Sequence, residues 1–176
     1  MLKAIGIRAD SFADLTACYA RHLPSLLDTL KRRSFWLIAR ICFGLYRCLP
    51  VFGTLRASIA IIYRDGKFLV IRRNDGRGVS LPGGIASRGE SEDATVRREV
   101  LEETGMRVTS AEPLTRYFSD ADVPCNISVY RAQASGEIRN SWEGSPRWLT
   151  LEEVALRIVE SQRPVVRLMR EIAGQS

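Results

Sequence analysis

Between Gly84 and Met106 the chain reads GIASRGESEDATVRREVLEETGM, and three of its glutamates, Glu99, Glu102 and Glu103, stand at i, i+3 and i+4. On a helix this spacing turns all three carboxylates to one face, where like charges repel and weaken the helix. Such a segment needs positive charge set against it, so a solvated acidic helix face is the poorer reading. Oxygen donors of this kind suit Mg²⁺ or Mn²⁺. A hard cation that keeps several waters recruits phosphate oxygens as further ligands.

The same stretch resembles the Nudix box, G-x5-E-x7-R-E-U-x-E-E-x-G-U with U a bulky aliphatic residue. Gly84, Glu90, Arg98, Glu99, Val100, Glu102, Glu103, Gly105 and Met106 fill its nine fixed positions. That many matches at fixed spacing are far more specific than a lone glycine motif. The resemblance spans about residues 57 to 173. It implies an α/β/α sandwich with a mixed sheet, and a hydrolase of phosphoanhydride bonds that uses Mg²⁺ or Mn²⁺.

By resemblance, Glu99, Glu102 and Glu103 hold the divalent metal together with the Gly84 carbonyl, Arg98 steadies Glu99, and Glu99 either binds metal or orients or deprotonates the attacking water. Glu90 then supports the loop-helix-loop, and Gly105 ends the helix. A further acid usually lies outside the box. Glu143-Gly-Ser-Pro-Arg-Trp148 is similar to a segment of MutT-type members in which the glutamate completes the metal site, so Glu143 is expected there, with Glu137, Asp120 and Asp122 as competitors. Arg72 and Arg73 stand where such enzymes place an arginine near the nucleotide phosphates. Gln162 falls where an asparagine reads oxidised guanine in them, and the change to glutamine puts that recognition in doubt.

The order of local patterns is consistent with this fold. Ser58–Tyr63 and Lys67–Arg72 flank Asp65-Gly66 and predict a β-hairpin. Ser80–Gly84 predicts a bend, Glu92–Thr104 a helix closed by Gly105, and residues 107–118 and 126–132 further strands. Trp148 opens a short edge, and residues 151–160 and 165–172 predict helices. Strands and helices in this order suit an α/β sandwich.

Charge is unevenly divided. Residues 1–56 hold nine Lys/Arg against three Asp, whereas residues 57–176 hold seventeen of each sign, so the whole excess of +6 is N-terminal. This divides the chain into a basic, apolar helical appendage, 1–56, and a catalytic domain, 57–176. Leu15, Tyr19, Leu23, Leu26, Leu27 and Leu30 recur at helical spacing, with Pro24 as a kink. The stretch 34–52 is apolar almost all round, apart from Arg40 and Arg47. Each arginine would cost ~2.5–3.5 kcal/mol at a bilayer centre, which argues against a span. An in-plane helix on an anionic membrane surface, a homodimer contact and packing on the catalytic domain all remain open.

Cys18, Cys42, Cys48 and Cys125 lack C-x-x-C spacing, and with the single His22 they form no zinc set. They read as reduced thiols of a cytoplasmic protein with no cleavable signal peptide. The leading functional expectation is a Mg²⁺-dependent pyrophosphohydrolase of a nucleoside diphosphate linked to another moiety, with nucleoside tri- and diphosphates foremost. A lipid-linked or prenyl diphosphate at the membrane surface is the second enzyme reading, and a non-catalytic nucleotide sensor the third. The catalytic part is charge-neutral without a basic-aromatic platform, which argues against nucleic acid.

Overall fold

The structure, a computed structural model, describes residues 54–141 and 144–175. The expected N-terminal helices, and with them Cys18, Cys42 and Cys48, lie outside those residues, as does Glu143. Strand β1 (Leu55–Ile61) runs through the centre of one four-stranded sheet, antiparallel to β5 (Gly83–Ile85) on one edge and parallel to β7 (Cys125–Ser135) on the other. The long β6 (Arg107–Ser119) closes that sheet antiparallel to β7. β1 is buried without interruption from Ala57 because both of its faces are covered, which is why it reads as an apolar run and not as an alternation.

The predicted hairpin forms, but only at its tip. Asp65 and Gly66 have φ of 51° and 76°, the paired positive values of a type I′ turn. Beyond the turn, β2 (Tyr63–Arg64) pairs with β3 (Lys67–Arg73), and one further bond joins Leu69 N–H to Ile62 O at 2.9 Å. β1 then leaves, because its own edges are taken by β5 and β7. β3 instead centres a second sheet, antiparallel to β2, to β4 (Val79–Ser80) and to β8 (Gly144–Leu149).

Helix α1 (Glu92–Thr104) has the predicted bounds. Ser91 caps it by accepting from Ala94 N–H at 3.2 Å, and Gly105 ends it at φ 77° with its N–H on Leu101 O. The helix expected over 151–160 is shorter. α2 (Leu151–Arg157) starts on a Thr150/Glu153 capping box, and then Ile158 goes extended to bridge Val79. A 3₁₀ turn (Glu160–Val165), which contains Pro164, leads into the closing α3 (Val166–Gly174).

Alternate strand residues feed two core layers, as the pleat requires. Ile59, Ile61, Phe68, Val70, Ile127 and Val129 pack with Val154, Met169 and Ile172 under α2 and α3. Ala60, Ile62, Leu69, Tyr130 and Ala132 pack with Val96 and Val100 of α1. The result is a mixed sheet system between helices. The buried Cys125 is a free thiol, pushed up to about 11 by burial and so held protonated. No helix among the described residues is long and apolar enough to cross a membrane.

Candidate active site

β5 delivers Gly83 and Gly84 directly against the inward side of α1. In register, Gly84 lies opposite Ser58 and Gly83 opposite Ile59 of the central strand. Any side chain at Gly83 would strike the Ser58 carbonyl, and one at Gly84 would meet the Glu99 carboxylate at 2.5 Å. The two glycines therefore let the main chain lie flush with both a strand and a carboxylate. Glu103, 7% exposed, accepts from Gly83 N–H at 2.9 Å.

The three glutamates do not share one environment. The side chains of Glu99 and Glu102 are 12% and 59% exposed. Both are tied to Arg98, whose Nη1 donates to Glu99 Oε1 at 2.8 Å and to Glu102 Oε2 at 3.1 Å. The other edge of the guanidinium forms a two-pronged pair with Glu90 at 2.9 and 3.0 Å, and Nη2 also donates to Ile85 O at 3.2 Å. One guanidinium thus ties the loop before the helix to the helix itself.

Hydrogen bonds, first to Glu90 and then to Glu99, raise the Arg98 pKa, so its charge is permanent. The Arg98 hydrogen bonds, helped by Ser87 N–H, pull the Glu90 carboxyl down to about 2. With a folded pKa below its ordinary 4.5, Glu90 contributes stability above that value and loses it as pH falls through about 2. Melting temperature measured against pH should therefore fall less steeply for Glu90→Gln than for wild type across that window. Equal slopes would show that the pair is energetically silent.

Three carboxylates, Glu90, Glu99 and Glu102, surround this one cation. Among the described residues no three acidic, His or Cys side chains form a ready-made ion cage: Glu99 and Glu102 face Arg98, while Glu103 faces Gly83. The donor chemistry nonetheless fits a divalent cation. It is all oxygen and carries an excess of negative charge, and its inner pair of carboxylates lies against glycine main chain with no side chain between.

The other expected residues are more dispersed. Gln162 is buried, and its Oε1 accepts from Leu81 N–H at 2.7 Å, just ahead of the glycine pair. Arg72 and Arg73 end β3 at a cleft of about 860 Å³. Arg73 is bound to Asp75 at 2.7 Å, and Asp75 also takes Arg77 at 2.8 Å. Burial would raise the Asp75 pKa, but hydrogen bonds from the two arginines outweigh it and hold the carboxyl well below the usual carboxylate range. Of Glu143's competitors, Asp122 is engaged by Arg77 at 2.6 Å and by the Ser161 hydroxyl at 2.9 Å, while Asp120 and Glu137 are exposed.

Two contributors are absent from the sequence reading. Gly83 is legible in the Pro-Gly-Gly triplet, where the second small residue marks a close backbone approach. The Asp75 clamp is legible as Arg-x-Asp-x-Arg, an acid between two bases at alternate positions.

The fold and this loop-helix-loop define a Nudix hydrolase. The NUDIX domain model matches residues 54–169, so the chain belongs to that family. A "MutT-like protein" of Streptomyces ambofaciens is 33% identical over 127 residues, covering 71% of this chain and 80% of that protein. Among solved structures, MutT NUDIX hydrolase from Burkholderia pseudomallei superposes with a TM-score of 0.59 at 25% identity, covering 65% of this chain and 97% of that one. The E. coli ORF135 protein does so with a TM-score of 0.60 at 21% identity, covering 69% and 92%. The family supports pyrophosphohydrolase activity in general, and its members generally use divalent metals.

Proposed function

We propose that the chain hydrolyses a phosphoanhydride bond in a nucleoside diphosphate linked to a further moiety, with nucleoside tri- and diphosphates the foremost substrates. The observation that carries this reading is the pair Glu99 and Glu103 set against the Gly83–Gly84 main chain, with Arg98 holding Glu99 and Glu102 from the outer side.

Glu99, Glu102, Glu103 and the Gly84 carbonyl would hold Mg²⁺ or Mn²⁺, and Glu143 is the further acid proposed to complete the set. When bound, the cation neutralises phosphate charge and acidifies water. The chain's own groups orient the reaction. Glu99 aligns or deprotonates the attacking water, and Arg98 keeps its carboxylate from swinging away. Gln162, through Leu81, steadies the strand that presents both glycines. Arg73, positioned by Asp75, offers its guanidinium to substrate phosphates. Residues 1–56, which hold the whole net positive charge, are proposed to act as an appendage that meets an anionic membrane surface, a second copy of the chain or the catalytic domain itself.

A panel of nucleotides and nucleotide sugars incubated with Mg²⁺, read out as phosphate, pyrophosphate and nucleoside monophosphate, tests the reaction. We expect pyrophosphate or phosphate release from at least one nucleoside tri- or diphosphate. Turnover confined to a prenyl diphosphate in detergent would replace this substrate class with the lipid-linked one. Sedimentation of the full-length protein with anionic vesicles, alongside light scattering, separates membrane from dimer.

A further inference from the structure

We propose that the cleft between the β3–β8 face and the end of α2 is a second anion site, shaped for a small molecule carrying two or more phosphates and separate from the carboxylate helix. Arg72, Arg73, Arg147 and Arg157 line it, and among the described residues no carboxylate does. Arg73 is paired with Asp75 and is the arginine assigned above to the hydrolysed substrate, so the second site rests on the other three. Arg72, Arg147 and Arg157 are exposed, and among the described residues they make no ion pair.

Strand register puts Arg72 and Arg147 on one face. Arg72 lies opposite Ser145, and Arg147 opposite Val70, so the two arginines are diagonal neighbours across the β3–β8 ladder. Phe68 and Val70, on the same face of β3, belong to the core layer of α2 and α3, whereas Leu69 belongs to the layer of α1. The cleft therefore opens on the sheet face opposite α1. Arg157, the last residue of α2, is brought there by main-chain packing: a side chain at Gly78 would strike the Arg157 carbonyl.

A cation at a helix C-terminus has a structural use through the helix dipole, which accounts for Arg157 alone. It does not account for two further like charges gathered beside it at a cost in repulsion. Guanidinium forks match phosphate oxygens two at a time, so three of them suit a polyphosphate better than a single phosphate. The volume of about 860 Å³ is that of a small-molecule pocket. A nucleic-acid backbone would call for a basic stripe and not a walled cleft.

The test titrates inorganic tripolyphosphate into the full-length protein in EDTA, by calorimetry, so that no divalent ion can bridge the anion to the glutamates. We expect saturable binding that Arg147→Ala and Arg157→Ala each weaken about tenfold, the loss of one charge-assisted contact. Both variants should melt as wild type without the anion, and Glu103→Gln should bind tripolyphosphate as wild type does. This result is independent of whether the panel finds a hydrolysed nucleotide. Absence of saturable binding, binding indifferent to both arginine variants, or binding that Glu103→Gln abolishes would overturn the second site. So would tighter binding of a single-stranded oligonucleotide through the same arginines.

Discussion

Glu103→Gln should lower turnover by about a hundredfold or more, ~2.7 kcal/mol of transition-state stabilisation, while the protein melts within a few degrees of wild type. The two parts of this expectation have different origins. Glu103 is buried, and its Oε2 accepts from Gly83 N–H at 2.9 Å. Glutamine has the same volume and keeps a carbonyl oxygen able to take that bond, so the contact between β5 and α1 survives. What it removes is the negative charge, which is the part a divalent cation uses. Steady-state rates with Mg²⁺ and a thermal melt on one preparation are enough. A wild-type rate would take Glu103 out of the metal set, and a collapsed melt would mean that its charge supports the fold.

Gly84→Ala should separate activity from stability still more sharply. The added methyl would sit 2.5 Å from Glu99 Oε1 and 2.7 Å from its Cδ, so the carboxylate must move. The end of a glutamate side chain moves at little energetic cost, and Gly84, unlike Gly83, has no left-handed φ that only glycine adopts easily. We expect a melting temperature close to wild type with turnover down by about two orders of magnitude, because catalytic geometry tolerates far less displacement than packing does. Gly83→Ala is the control. There the methyl strikes main-chain atoms of Ser58 and Ile59, so stability itself should fall. A fully active Gly84→Ala enzyme would show that the close approach of Glu99 to β5 has no part in the chemistry.

Both predictions use residues that local spacing makes conspicuous, and this explains how much of the site could be read without coordinates. Helix α1 and its cap at Gly105 follow from interactions within four residues, and so does the clustering of Glu99, Glu102 and Glu103 near one another. The unequal burial of those glutamates does not. It depends on β5 lying along the helix, which in turn depends on Ser58 pairing with Gly84 from 26 positions away. Likewise, Arg98 reaches back eight residues to Glu90, and Gln162 is held by Leu81 across 81. Gln162 stands where similar enzymes carry a base-reading asparagine, and burial and that bond tie its side-chain oxygen to the main chain. No composition or periodicity carries such information, because a buried amide is satisfied by whatever partner the fold brings to it.

By itself the sequence determined which carboxylates gather on one helix, which arginine lies among them, and which glycine ends that helix. All of these rest on contacts between near neighbours, whose geometry the helix and the turn dictate. The tertiary structure alone decided that β1 abandons its hairpin partner for β7, that Glu103 is buried while Glu102 is not, and that Arg72, Arg147 and Arg157 meet on the face opposite the catalytic helix. Each of these follows from pairings between distant strands. Those pairings are chosen by competition among all the edges and apolar faces of the whole chain, and no single segment contains the terms of that competition.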